Sequence, residues 1–324
     1  MLIIHLLLFN MKLILGYFKD FWNEQNPLHL LFVGVFLTAS IYFNYLYDIE
    51  NGVIDAHYHT IQHFYYYFLL YSVSFVPIYL SYAFDKVGRA MLSQSGLWLR
   101  MFFALAVFSF YCYFYQYRHW IDLWISDAEL QQVIKICANQ IVPATIMFLV
   151  VVIFWWILDR KNQAMYGFKL KGSHFKIYFV LLMAMVPLIV AASFTSDFQT
   201  YYPTARRMLN YDVEGIPTSW VVALYELCYG LEFFHIEFFF RGFLIFGFVK
   251  YAGSRAILPA AVFYCFIHFG KPAVECISSF FGGIALGVLS YRSQSIVAGV
   301  IIHLGIAWLM ELVAGIWLWK TLFP

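Results

Sequence analysis

Charge is what this chain has least of. Of its 324 residues, 20 are Lys or Arg and 18 are Asp or Glu, so only 12% carry charge. Soluble domains carry roughly 25%. Since 63% of the residues are hydrophobic and 22% aromatic, a soluble enzyme, a disordered chain and a disulfide-stapled secreted domain are excluded. Cysteine is sparse too: Cys112, Cys137, Cys228, Cys265 and Cys276 are odd in number and form no C-x-x-C. Neither a disulfide framework nor a cysteine metal site is expected. A net charge of +2 gives no electrostatic footprint for a nucleic-acid partner. What is there is apolar sequence in runs long enough to cross a bilayer. The chain therefore reads as an all-α, polytopic transmembrane helical bundle with the lipid bilayer as its main surroundings.

Runs of about 20 mostly apolar residues suit a hydrocarbon core about 30 Å thick. They occur at Leu28–Leu46, Gln62–Phe84, Leu97–Tyr117, Asn139–Leu158 and Ile177–Phe194. Thr218–Val249, Arg255–Phe269, Ala273–Tyr291 and Ser295–Trp319 follow. This gives about eight or nine spans, depending on how the long sixth run is cut. Basic residues collect between the fourth and fifth runs (Arg160, Lys161, Lys169, Lys171 and Lys176) and between the second and third (Lys86 and Arg89). Between the first and second the only charged residues are Asp48, Glu50 and Asp55. By the positive-inside rule the N-terminus is expected in the cytoplasm, with Thr218–Val249 as one long tilted helix. Met1–Gly16 is apolar but short and has no cleavage pattern, which suits an interfacial helix better than a signal peptide. The expected organisation is an N-terminal transmembrane region of about five spans over 1–217, with a basic cytoplasmic loop at 159–176, and a core over 218–324 in the last four spans.

The front half holds almost no ionisable residue away from its span ends. The back third holds Glu226, Glu232, His235, Glu237, Arg241, His268, Glu275, His303 and Glu311. A charge at mid-bilayer costs at least about 2.5–3.5 kcal/mol, so such groups pair or mark a functional site. Counting about 1.5 Å per residue from the cytoplasmic ends puts Glu237 and His268 about 20 Å deep, and Arg241 and His303 about 14 Å deep. Glu232, Glu275 and Glu311 fall in a second layer at about 26–27 Å. Glu237 and Arg241 are spaced to pair on one helix face, and taken alone that pair is structural. Lone transmembrane histidines are more often helix–helix hydrogen-bonding residues than ligands. Two histidines and a glutamate at matched depth on three helices nevertheless point to a shared site. Gly283-x-x-x-Gly287 is the pattern that lets helix backbones approach, and Pro272 is expected to end the helix of His268.

Three stretches carry a family resemblance: Glu237 to Arg241 after His235-Ile236, Tyr264 to His268, and His303 to Ala307. They resemble, in order, the Glu-Glu-x-x-x-Arg, Phe-x-x-x-His and His-x-x-x-Asn motifs of the CPBP family. That family comprises the type II CAAX prenyl proteases and the bacteriocin-processing or self-immunity proteins, also called Abi. The resemblance covers about Thr218–Trp319. It implies an intramembrane endopeptidase in a bacterial plasma membrane, hydrolysing a peptide bond of a membrane-embedded or membrane-anchored peptide or protein substrate.

Position by position, Glu237 takes the place of the second glutamate, Arg241 the arginine, His268 the first histidine and His303 the second. In the family the first glutamate is taken to activate water, helped by the first histidine, while the second histidine and the asparagine stabilise the oxyanion. Here Ile236 stands at the first glutamate position and Ala307 at the asparagine position. Glu237, His268, His303 and Arg241 are thus the expected catalytic residues, with Glu232, Glu275 and Glu311 as secondary candidates. Glu237, His268 and His303 also form a two-histidine, one-carboxylate set of the kind that holds zinc with an open water position. A metalloprotease is therefore one expectation. A catalytically inactive homologue serving as a membrane binding or scaffold protein is the alternative, with a proton- or ion-coupled transporter third.

Overall fold

A computed structural model describes residues 2–169 and 175–322. Lys171 and its neighbours in the expected basic loop, with Met1 and the last two residues, lie outside the described residues. Among the described residues the regular structure is helical throughout, without a strand, as an apolar chain in lipid requires. Six helices are long and apolar enough to cross a membrane: Pro27–Tyr47, Ile61–Phe84, Ser95–Trp124, Ala128–Asp159, Ala273–Ser293 and Val297–Leu318. A seventh is reached if Tyr178–Ala192 and Ser196–Asn210, bent by 98°, count as one span.

Two of the expected crossings take another form. Thr218–Glu237 is a 20-residue helix that carries Glu226, Glu232 and Glu237, and its winding changes to a π-helix over Phe238–Gly247. The run at Arg255–Phe269 contains an α-helix of only ten residues, Ile257–Phe266. That helix is about 15 Å long, half of a bilayer core. Hydropathy could not show this, because Ile267 and Phe269 carry the apolar run past the end of the helix.

The chain divides into two compact units that interleave in sequence. The first comprises Met1–Tyr113, Leu149–Ser173 and Glu237–Gly299. Its helices start and stop on local chemistry. Asn26 caps Pro27–Tyr47 by accepting from Leu28 N–H, with proline in the first helical position. Asp48 ends that helix in the left-handed region at φ 48°. Asp85 caps Lys86–Leu92 through Gly88 N–H at 2.7 Å. Ile257–Phe266 lies against Ala273–Ser293, where a Cβ at Gly283 would stand 3.1 Å from Ala261 Cα. The small-residue pattern therefore does bring two backbones together. An aromatic core surrounds this pair. Phe263 has its ring 5.4 Å from Phe75, 5.3 Å from Phe108 and 5.4 Å from Phe240. The buried Arg100–Asp159 ion pair, completed by Tyr166 Oη donating to Asp159 at 2.6 Å, ties two span ends.

The second unit comprises Phe114–Phe148, His174–Ile236 and Val300–Pro324. Its core gathers Val133, Met208, Val221, Tyr225, Cys228 and Ala307. A smaller cluster of Ile189, Phe198, Tyr202 and Ala314 lies elsewhere in the unit.

Candidate active site

Glu237 is the last α-helical residue before the winding loosens. π-helical turns recur at functional sites. Its carboxylate meets the Arg241 guanidinium at 2.8 Å, with side chains 0% and 2% exposed, as the four-residue spacing implies. Arg241 lies over the ring of Tyr264, 4.2 Å from its centroid. Glu237 also faces the start of the last helix: a Cβ at Gly299 would collide with its Oε2. The carboxylate is therefore turned into the protein and away from lipid. Ile236, at the family's first glutamate position, is buried as an apolar residue.

His268 lies beyond the end of its helix. Ile257–Phe266 closes two residues earlier, its last carbonyls taken by tight bonds such as His268 N–H to Cys265 O at 3.0 Å. Pro272, expected to end this helix, instead begins the next one, Ala273–Ser293. The correction has a simple cause: the apolar turn 267–270 closes with three-residue bonds before the proline is reached. His268 Nδ1 lies 2.8 Å from Tyr264 O. A carbonyl only accepts, so Nδ1 carries a proton and donates it to Tyr264 O. The His268 and Tyr264 rings are 4.6 Å apart. Glu237, Arg241, Tyr264 and His268 thus form one connected run of side chains. Tyr264 is the link that sequence reasoning passed over as a small change at an aromatic motif position.

The second unit holds the remaining candidates. His303 packs edge-on against Phe233, with ring centroids 4.5 Å apart. Ala307 is 4% exposed within the apolar core and offers no donor. Glu311 accepts from Thr204 N–H at 2.8 Å, Thr204 Oγ1 at 2.7 Å and Ala205 N–H at 3.2 Å. It thereby caps the short helix Thr204–Asn210. Glu226 lies beside Glu311, and Glu232 faces the Gln140 amide. In the first unit, Glu275 is ion-paired with Lys271 at 3.2 Å. Glu275 and Glu311 therefore have structural tasks that the depth count alone could not reveal.

Among the described residues, no three His, Cys, Asp or Glu side chains are grouped to hold a metal ion, and Arg241 takes up Glu237. Within the first unit, Glu237 is engaged by Arg241, so Glu237 and His268 alone do not make a zinc set, and no step is routed through a metal.

Residues 218–309 match the family model described as "Type II CAAX prenyl endopeptidase Rce1-like". The matched stretch contains all three motifs read from the sequence. No curated protein and no solved structure matches the chain.

Proposed function

From a chain whose residues 218–309 are of the type II CAAX prenyl endopeptidase Rce1-like family, we propose a membrane endopeptidase that hydrolyses a membrane-anchored peptide. The observation that carries this reading is His268. Its Nδ1 donates to Tyr264 O at 2.8 Å, which fixes the orientation of the ring at the family's first histidine position. In this scheme His268 is the general base. The water oxygen attacks the scissile carbonyl, the proton passes to Nε2, and the same ring returns it to the leaving amine. By motif order His303 stands at the position the family is taken to use for the developing oxyanion. Glu237 and Arg241 do no chemistry: their pair holds Tyr264, and through it His268, in place. With Ala307 unable to donate, one oxyanion contact is missing, a loss worth about 10²–10³ in rate.

The reading is tested with the full chain in proteoliposomes holding a farnesylated Cys-aliphatic-aliphatic-X peptide or a single-span peptide without a prenyl group. Cleavage of either, lost in His268→Ala and His303→Ala, supports it. Cleavage unchanged in both, and in Glu237→Ala, contradicts it.

A second reading rests on Ile236 and Ala307, both buried in apolar packing. In it the chain is an inactive homologue that binds membrane-anchored peptides. It expects hydrolysis only after Ile236→Glu is combined with Ala307→Asn.

A further inference from the structure

The turn that carries His268 is held from outside by the end of the first span and the π-helical turn Ile49–Ile54 that follows it. Asn44 Nδ2 donates to Phe269 O at 3.0 Å, and Tyr45 Oη donates to Lys271 O at 2.7 Å. Between them, the Gly270 N–H faces the Glu50 carboxylate as a donor. The fit is close: a Cβ at Gly270 would stand 2.9 Å from Asn51 Oδ1 and 3.5 Å from Glu50 Cδ. Two peptide units of the turn, Phe269–Gly270 and Lys271–Pro272, are thus bound by one stretch of eight residues, more than 200 positions earlier in the chain. The stretch is braced in turn. Asn44 Oδ1 accepts from Glu50 N–H at 3.3 Å, and Tyr67 Oη donates to Glu50 Oε1 at 3.3 Å and to Asp55 Oδ1 at 3.1 Å.

We propose that Asn44–Asn51 is a docking clamp that sets the position of the His268 turn, with Glu50 as its positioning residue. For the role of His268 this rests on the function proposed above, but the clamp itself is a matter of geometry. The clamp adds to the tight bonds within the turn and to the Nδ1 bond to Tyr264 O that orients the imidazole.

The clamp is sensitive to pH, and the sign follows from linkage. Burial pushes the Glu50 carboxyl up from 4.5 to about 7; Asp55 adds to the rise, while Gly270 N–H, Tyr67 and Lys271 oppose it. The other groups around it are Asp48 and Tyr45 on its own stretch, His63 paired with Asp55, and Glu275 and Cys276 on the helix after the turn. A carboxyl that ionises at about 7 when docked, and at its ordinary value when released, favours release as pH rises between those values. The docked fraction relative to the released one falls up to tenfold per pH unit there and is flat above about 7.

The test is hydrogen exchange on the full chain in detergent micelles, following the amides of residues 267–271 from pH 5 to pH 8 after correction for intrinsic rates. Wild type should lose protection of the turn by at least tenfold over this range. Glu50→Gln, a neutral isostere, should abolish the pH dependence and keep the turn as protected at pH 8 as wild type is at pH 5. Gly270→Ala should expose the turn at every pH. If Gly270→Ala fails to fold, Glu50→Gln decides alone. A pH dependence that persists in Glu50→Gln overturns the proposal, as does a wild-type turn whose protection does not change with pH. Absence of peptide cleavage in wild type with the expected exchange pattern would sink the proposed reaction and leave the clamp standing.

Discussion

Removing Arg241 should cost more than any other single substitution in the candidate site. Arg241 and Glu237 meet at 2.8 Å with side chains 2% and 0% exposed. At an effective dielectric of about 20, such a pair attracts with about 6 kcal/mol, and desolvation offsets much of it. The net value of the pair is therefore small, but the penalty for breaking it is not. Arg241→Met leaves a buried carboxylate without its cation, which costs about 3–5 kcal/mol. It also removes the guanidinium stacked on Tyr264, worth about 1–2 kcal/mol when desolvated. Glu237→Leu should cost a similar amount by orphaning the arginine. The double variant should be much less destabilised than the sum of the two, because neither charge is left behind. The assay is equilibrium unfolding in mixed micelles, titrating dodecyl sulfate and following tryptophan fluorescence for all four members of the cycle. Single variants each costing under about 1 kcal/mol, or a double variant costing the full sum, would refute the argument that this is a buried and mutually dependent pair.

Other expectations follow from the same geometry. Gly299→Ala puts a methyl group onto Glu237 Oε2, and its overpacking should lower stability by about 1–3 kcal/mol in the same unfolding assay. Glu311→Gln keeps the shape but weakens three hydrogen bonds to Thr204 and Ala205; a loss of about 1.5–3 kcal/mol is expected, with faster exchange confined at first to residues 204–210. Because no described group of side chains is arranged to hold a metal, a zinc chelator should leave peptide cleavage unchanged, and loss of activity restored by added zinc would contradict the metal-free scheme.

Much of the fold was legible in the sequence because lipid imposes simple rules. Long apolar runs gave helices at Pro27–Tyr47 and Ile61–Phe84 within a few residues of the expected ends, while Ser95–Trp124 runs seven residues past the expected Tyr117. Four-residue spacing foretold the Glu237–Arg241 pair, and Gly283 marked a close helix contact. Two features were not legible. A π-helix over Phe238–Gly247 has no compositional signature that separates it from α-helix. The short helix Ile257–Phe266 ends in a turn where Ile267 and Phe269 continue the apolar run. Depth counting also assumes that each helix continues, so it placed His268 in the last turn of a helix ended by Pro272, whereas the helix closes at Phe266 and His268 belongs to the turn that follows. Glu275 and Glu311 looked like members of a functional layer because their partners, Lys271 and Thr204, are invisible to a count along single helices. The Glu50 clamp lay further out of reach, since contacts across more than 200 residues leave no trace in periodicity.

The central claim is that His268 takes the proton from the attacking water. Its most direct test is cleavage of a membrane-anchored peptide in water enriched in oxygen-18, by wild type and by His268→Ala in proteoliposomes. The account predicts one heavy oxygen in the new carboxylate and a rate about 10²–10⁴-fold lower in the variant. A variant that cleaves as fast as wild type, or a wild type that cleaves neither a prenylated nor an unprenylated peptide, would contradict it.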